Sequence, residues 1–358
     1  MIERDDLKAA VGSGLLSEKQ ASGLITLADS RRGFREGLQP SDEPFELFKG
    51  FNEIFIVIGL GILSFGWSGV VALALGDEII DLKNYAIMVA SIGAVFLWLL
   101  SEYFIRKRRM VAPAIALAVL FAGNAAFGFL AVMTHPFMIA QNDYTSVPFP
   151  LLLATLSLLV FWWRFRVPFA LAMIAVSLFA TTIIFTASNS GPVEDVSDLF
   201  LLSADGPFAW ITLLLGFAVF AVAMIFDMSD PHRVTRRSAN GFWLHVVAAP
   251  ALVNTLALSL LDEGTTTANA ILLGVLTLFA VVAIIIDRRS FLIAAIGYIV
   301  VLAANILDGD GAALTVIGLG LVLLLLGEFW ERIRGRLLRL MPRFVPLNRL
   351  PPSHLSKD

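Results

Sequence analysis

The sequence predicts an all-α polytopic integral membrane helical bundle, with about ten transmembrane helices arranged in tandem hairpins. Three observations carry that prediction. Of the 358 residues, 58% are hydrophobic and only 15% are charged, whereas a soluble domain is about a quarter charged. Apolar runs recur at the length of about 20 residues that crosses a ~30 Å hydrocarbon core. Basic residues gather in every second connection between those runs.

Residues 1–50 are polar and read as a cytoplasmic region containing a short helical hairpin over residues 4–31. Gly12, Ser13 and Gly14 supply its break. Ser17-Glu18-Lys19-Gln20 fits a capping box, with Ser17 capping and Gln20 reaching back. Ala21, Leu24, Ile25 and Ala28 then form one apolar face. Residues 1–40 are expected either to pack on the membrane domain or to dock a soluble protein partner. The first apolar run begins only near Phe51, too far along for a secretory signal.

The membrane domain covers residues 51–330, with expected spans at 52–75, 85–105, 111–133, 148–163, 167–186, 208–226, 241–261, 268–286, 291–307 and 312–330. Arg164 and Arg166 divide the apolar stretch from Val147 to Phe185 into a tight hairpin. Orientation follows from the excess of lysine and arginine in cytoplasmic loops. Clusters lie in the N-terminal region, at Arg106–Arg109, at Arg164 and Arg166, at Arg233–Arg237, at Arg288 and Arg289, and in the tail. Together they hold 25 of the 26 basic residues, leaving Lys83 alone on the opposite side, where twelve acids lie. Both termini are therefore expected in the cytoplasm. Trp162, Trp163, Trp243 and Trp330 lie beside basic turns and Trp210 near an outer end, as an interfacial belt requires. Trp67 and Trp98 sit deeper.

Residues 331–358 form a basic tail, in which Glu331–Phe344 interleaves arginines with Leu337, Leu338, Leu340, Met341 and Phe344. That pattern suits an interfacial helix drawn to anionic lipids.

The hairpins turn at basic clusters near Arg106, Arg164, Arg236 and Arg288, so they repeat in parallel rather than inverted topology. Each outward-running helix carries a small polar group 15–17 residues past its basic turn: Ser64, Asn124, Thr181, Asn254 and Asn305. At 1.5 Å per residue they share a depth of roughly 22–26 Å. They read either as interhelical hydrogen-bond glue or as a polar vestibule. His245, the one histidine inside a span, reads as a hydrogen-bonded structural group. It lies nine residues from Asn254, on the opposite side of an ideal helix, unless a kink at Pro250 rotates the two together. Tyr298 and Asn305 fall on one face of the ninth span.

Ionisable residues inside a membrane mark proton and ion paths. Glu53, Glu102 and Glu328 lie near cytoplasmic ends, where arginine pairing or snorkelling would hold them. No phosphate-cradling loop, H-E-x-x-H or G-x-S-x-G occurs, there is no cysteine, and no second buried histidine is available for haem. Gly59, Gly61, Gly318 and Gly320 read as close-packing surfaces. No cofactor, metal or nucleic acid is expected, and no catalytic constellation emerges.

The N-terminal stretch Gly14-Leu15-Leu16-Ser17-Glu18-Lys19-Gln20-Ala21, followed by hairpins of small-residue-rich spans, resembles a bacterial family of predicted membrane proteins (domain of unknown function 2157). The resemblance implies a bacterial cytoplasmic (inner) membrane and brings no functional residues. The expected function is that of a non-enzymatic interaction, scaffold or accessory protein. The alternative is a transporter or facilitator of a small or lipidic substrate.

Overall fold

The computed structural model describes residues 10, 13–16, 20, 51–77, 82–141, 143–191, 193, 195–204, 206–231, 236–288, 290–291, 298, 310–342 and 346–351. The chain divides into two compact units, 1–44 and 45–358. In the first, Gly14 takes φ +76°, and the N–H groups of Leu15 and Leu16 donate to the Ala10 carbonyl at 2.9 and 3.2 Å. This is a glycine-favouring helix end, at the break expected from Gly12-Ser13-Gly14. Of the capping box only Gln20 is among the described residues, and the Ala21–Ala28 face lies outside them.

Every regular element described in the second unit is helical. The long helices are α1 (Phe51–Asp77), α2 (Leu82–Ser101), α3 (Ala112–Met133), α4 (Pro148–Phe165), α5 (Pro168–Ser190), α6 (Phe208–Met228), α7 (Arg236–Glu263), α8 (Thr266–Ile286) and α9 (Asp310–Leu340). Among the described residues eight helices, α1 to α8, are long and apolar enough to cross a membrane. The chain is a multi-pass membrane protein. α9 carries the expected tenth span and departs from helical geometry at Phe329 (φ −103°, ψ 15°). The expected ninth span lies outside the described residues except for Phe291 and Tyr298.

Local sequence explains where several helices start. α3, α4 and α5 each have proline in their first turn, where its missing N–H costs nothing and its fixed φ suits a helix. α7 stays one helix through Pro250.

α2 packs on α3, α3 on α4, α4 on α5, α5 on α7, and α6 and α8 flank α7. The first core holds an aromatic stack at its basic end: Phe121 and Phe161 have centroids 4.8 Å apart, Phe161 and Phe165 4.6 Å, and Trp98 and Phe165 5.0 Å. That stack accounts for the depth of Trp98, which serves packing rather than an interfacial belt. The second core is built from Leu252, Leu272, Leu276, Ile284 and their neighbours on α6 to α9. Trp330 also departs from the belt expectation. It is buried and donates from Nε1 to Asp287 Oδ1 at 2.8 Å. Trp163 and Trp210 are exposed, as belt residues should be.

α1 differs from the rest. Among its described side chains only Glu53 and Leu60 are buried, while α7 buries twelve residues.

Candidate functional site

The charged groups at the basic end of the bundle lie closest to chemistry. Asp227 closes α6 and is buried. On α7, Ser238, Gly241 and His245 are spaced by three and four residues, which puts them on one helix face. A Cβ on Gly241 would collide with Asp227 Oδ1, so the carboxylate presses on the α7 backbone at a site only glycine leaves open.

Arg288 arrives from the turn after α8. Asp287 ends that helix in the left-handed region at φ 57°, a conformation that aspartate tolerates better than most residues. The Arg288 N–H donates to the Ala283 carbonyl at 2.9 Å, completing a Schellman-like end. This turn sends the Arg288 side chain inward, to 0% exposure. Its Nη2 donates to Asp227 Oδ1 at 2.6 Å and its Nε to Oδ2 at 3.0 Å. Nη2 also donates to the Ser238 carbonyl at 2.9 Å. His245 Nε2 lies 2.9 Å from the same Asp227 Oδ2. Phe220 and Phe291 stand edge-on to the imidazole, with centroids 5.5 and 5.8 Å away.

Asp227 therefore gathers a guanidinium fork and an imidazole from two different elements. Isolated charge is costly at such depth, and the bidentate pair is the geometry that offsets the cost best. A second layer continues the pattern. Arg334 of α9, also buried, donates to the carbonyls of Ile284 and Ile285 at 3.2 and 3.4 Å and to that of Pro351. It thus supplies further donors to carbonyls in the last turn of α8, where intrahelical partners run out. One arginine of the basic tail accordingly packs into the bundle instead of facing lipid.

The other acids at this end are also engaged. Glu53 accepts the N–H groups of Val111 and Ala112 at 3.2 and 2.9 Å, capping α3. Glu102 pairs with Arg106 at 3.1 Å and with Arg164 at 2.7 Å, the arginine pairing expected of it. Glu328 is exposed.

The small polar groups at the common depth make separate contacts. Asn124 donates from Nδ2 to the Ala90 carbonyl at 2.9 Å, and Gly93 leaves the space its side chain fills. Thr181 donates to Ser177 on its own helix at 2.7 Å. The Ser64 carbonyl accepts from Ser68 Oγ at 3.0 Å, also within its helix. Tyr298 donates to Asn254 Oδ1 at 3.0 Å. Asn305 lies outside the described residues. Asn124 and Asn254 thus bond to other segments, while the contacts at Thr181 and Ser64 stay within one helix, and His245 joins none of them.

Among the described residues no three His, Cys, Asp or Glu side chains could share a metal ion. What the arrangement does is fasten α6, α7 and the end of α8 at one level. Asp227 and Arg288 are the residues that sequence reasoning missed. The available signal was charge sorting: Asp227 and Asp287 are acids on the basic side of the map, beside apolar spans, and such acids need partners. Comparison with protein-family models, with curated proteins and with solved structures gives no match.

Proposed function

We propose that this chain is a non-enzymatic multi-pass protein of a bacterial inner membrane, with both termini in the cytoplasm, that acts by holding another membrane protein against its first span. The family resemblance at residues 14–21 belongs to the same reading. The observation that carries it is the contrast between α1 and the bundle. Beyond the helix's own backbone and the adjoining residues, no heavy atom lies within 4 Å of where a Cβ would stand at Gly59, Gly66 or Gly69. Helices associate in lipid through such small-residue surfaces, because backbones can then approach closely. The partner expected is a transmembrane helix with a small-residue face of its own. The buried charges at the basic end support a scaffold reading too, since they bind helices to one another.

The test is a photo-crosslinker placed at Phe65 or Trp67 in native membranes, with Phe217 on α6 as a lipid-facing control. A discrete adduct at α1 and none at the control is the expected result. Equal labelling of lipid at all three positions would remove the proposal. Orientation has its own test: an alkaline phosphatase reporter fused after residue 265 should be active, which requires the far side of the membrane.

A further inference from the structure

The exposed face of α2 carries an open groove lined by Ser91, Ile92, Val95, Phe96 and Leu99. The eight residue steps from Ser91 to Leu99 rise about 12 Å, close to the ~15 Å that one leaflet contributes to a ~30 Å core. The groove leads toward charge. α2 continues directly into a π-helical turn, Glu102–Lys107. Tyr103 and Lys107 therefore follow Leu99 at intervals of four, along the same side of the helix.

At that end the cations are held in place. Lys107 Nζ and the Arg108 guanidinium lie 5.8 and 5.5 Å from the Tyr103 ring centroid. Arg108 Nε and Nη2 both donate to Tyr103 Oη, at 3.1 and 3.0 Å. Arg109 follows, exposed, with φ 54°. Across the turn, Arg164 shares Glu102 with Arg106, and Arg166 lies 4.8 Å over Trp162. Against these six cations the described residues of the two turns set the carboxylate of Glu102, while the buried Glu53 is turned to the start of α3. Placing a basic loop in the cytoplasm requires charge alone. It does not require two cations ordered over one tyrosine at the head of an apolar groove.

We propose that the α2 groove and the cations above it bind one anionic phospholipid, with an acyl chain along Ile92, Val95, Phe96 and Leu99 and the phosphate at Lys107 and Arg108. Guanidinium and ammonium donors match phosphate oxygens, and basic pockets beside spans take anionic headgroups in this way. The site is independent of the α1 partner, since it lies on another helix.

The test is native mass spectrometry of the full chain released from micelles. It compares phosphatidylglycerol, phosphatidylcholine with the same acyl chains, and soluble glycerol phosphate. Phosphatidylglycerol should be retained in preference to phosphatidylcholine, and glycerol phosphate should compete weakly because it lacks the chain. The double variant Lys107→Gln/Arg108→Gln should weaken retention about fivefold for each cation removed. Val95→Trp should weaken it by filling the groove, with the headgroup contacts intact. Arg109→Gly relieves a left-handed backbone, so it should lower retention with folding preserved, which keeps the test open if the double variant misfolds. Lys83→Gln, at the opposite end, should change nothing. Equal retention of the two lipids, or unaltered retention in the cation variants, overturns the site. Glycerol phosphate competing as well as the lipid would reassign it to a free phosphate.

Discussion

Two arginine–carboxylate clusters occupy the same end of this bundle and differ in burial. In the N-terminal half Glu102 pairs with Arg106 and Arg164, whose side chains are 30%, 50% and 37% exposed. In the C-terminal half Asp227 pairs with Arg288 and His245, at 8%, 0% and 0%. The chemistry is the same and the physics is not. A solvated pair gains little, because water screens it and two long side chains must be ordered. A buried pair has given up hydration on both sides, so each partner depends on the other. The first cluster decorates a turn. The second determines how three elements meet.

The largest effect should come from removing one partner of the buried cluster. Asp227→Ala leaves Arg288 buried without its carboxylate, which costs about 3–5 kcal/mol in comparable cases. Thermal unfolding in micelles should show a large drop in Tm for this variant. The comparison sharpens with Asp227→Leu/Arg288→Met, which removes both charges and keeps volume. It should be less damaging than either single change, because no buried ion is left alone. A double variant as unstable as the sum of the singles would mean that the cluster is not a coupled unit.

Next comes the space that cluster occupies. Gly241→Ala drives a methyl group into Asp227 Oδ1 and toward the Ala223 carbonyl, and overpacking of this kind costs about 1–3 kcal/mol. Gly123→Ala on α3 meets nothing within 4 Å, so it should be neutral or stabilising by up to ~1 kcal/mol through helix propensity. Equal Tm values for the two variants would contradict the close approach of α6 and α7.

Much of the fold was legible because lipid imposes a simple rule on sequence. Length and apolarity alone give the first eight expected spans, each matched by a helix within a few residues. The short hairpin at Arg164 and Arg166 was legible for the same reason. The cluster was harder to read. Arg288 sits in a basic turn and is indistinguishable in sequence from Arg106, which stays in solvent. What turns it inward is the left-handed Asp287 and the space left by Gly241, and both are three-dimensional facts. His245 was readable as a hydrogen-bonded group, but its partner lies on another helix, 18 residues away in the chain. Counting from the basic turns gives the polar residues at common depth. Counting could not tell that Asn124 faces Ala90 while Thr181 faces its own helix. Depth fixes distance along the membrane normal and leaves rotation about each helix free.

The smallest effect tests the other arm of the comparison. Glu102 joins the α2 end to the α4 end, so its pairs could in principle fasten hairpins as Asp227 does. The exposure of all three side chains argues for a contribution under about 1 kcal/mol. Glu102→Gln should therefore shift Tm only slightly, and the shift should shrink further in high salt, because exposed charges are screened within ~10 Å at 0.1 M. Arg164→Gln in the Glu102→Gln background should add almost nothing, since the pair is already broken. The Asp227 variants should respond little to salt, because ions do not reach a buried carboxylate. If Glu102→Gln proved as damaging as Asp227→Ala, and salt-insensitive, then burial is not what separates the two clusters, and the division into a decorated and a fastened half fails.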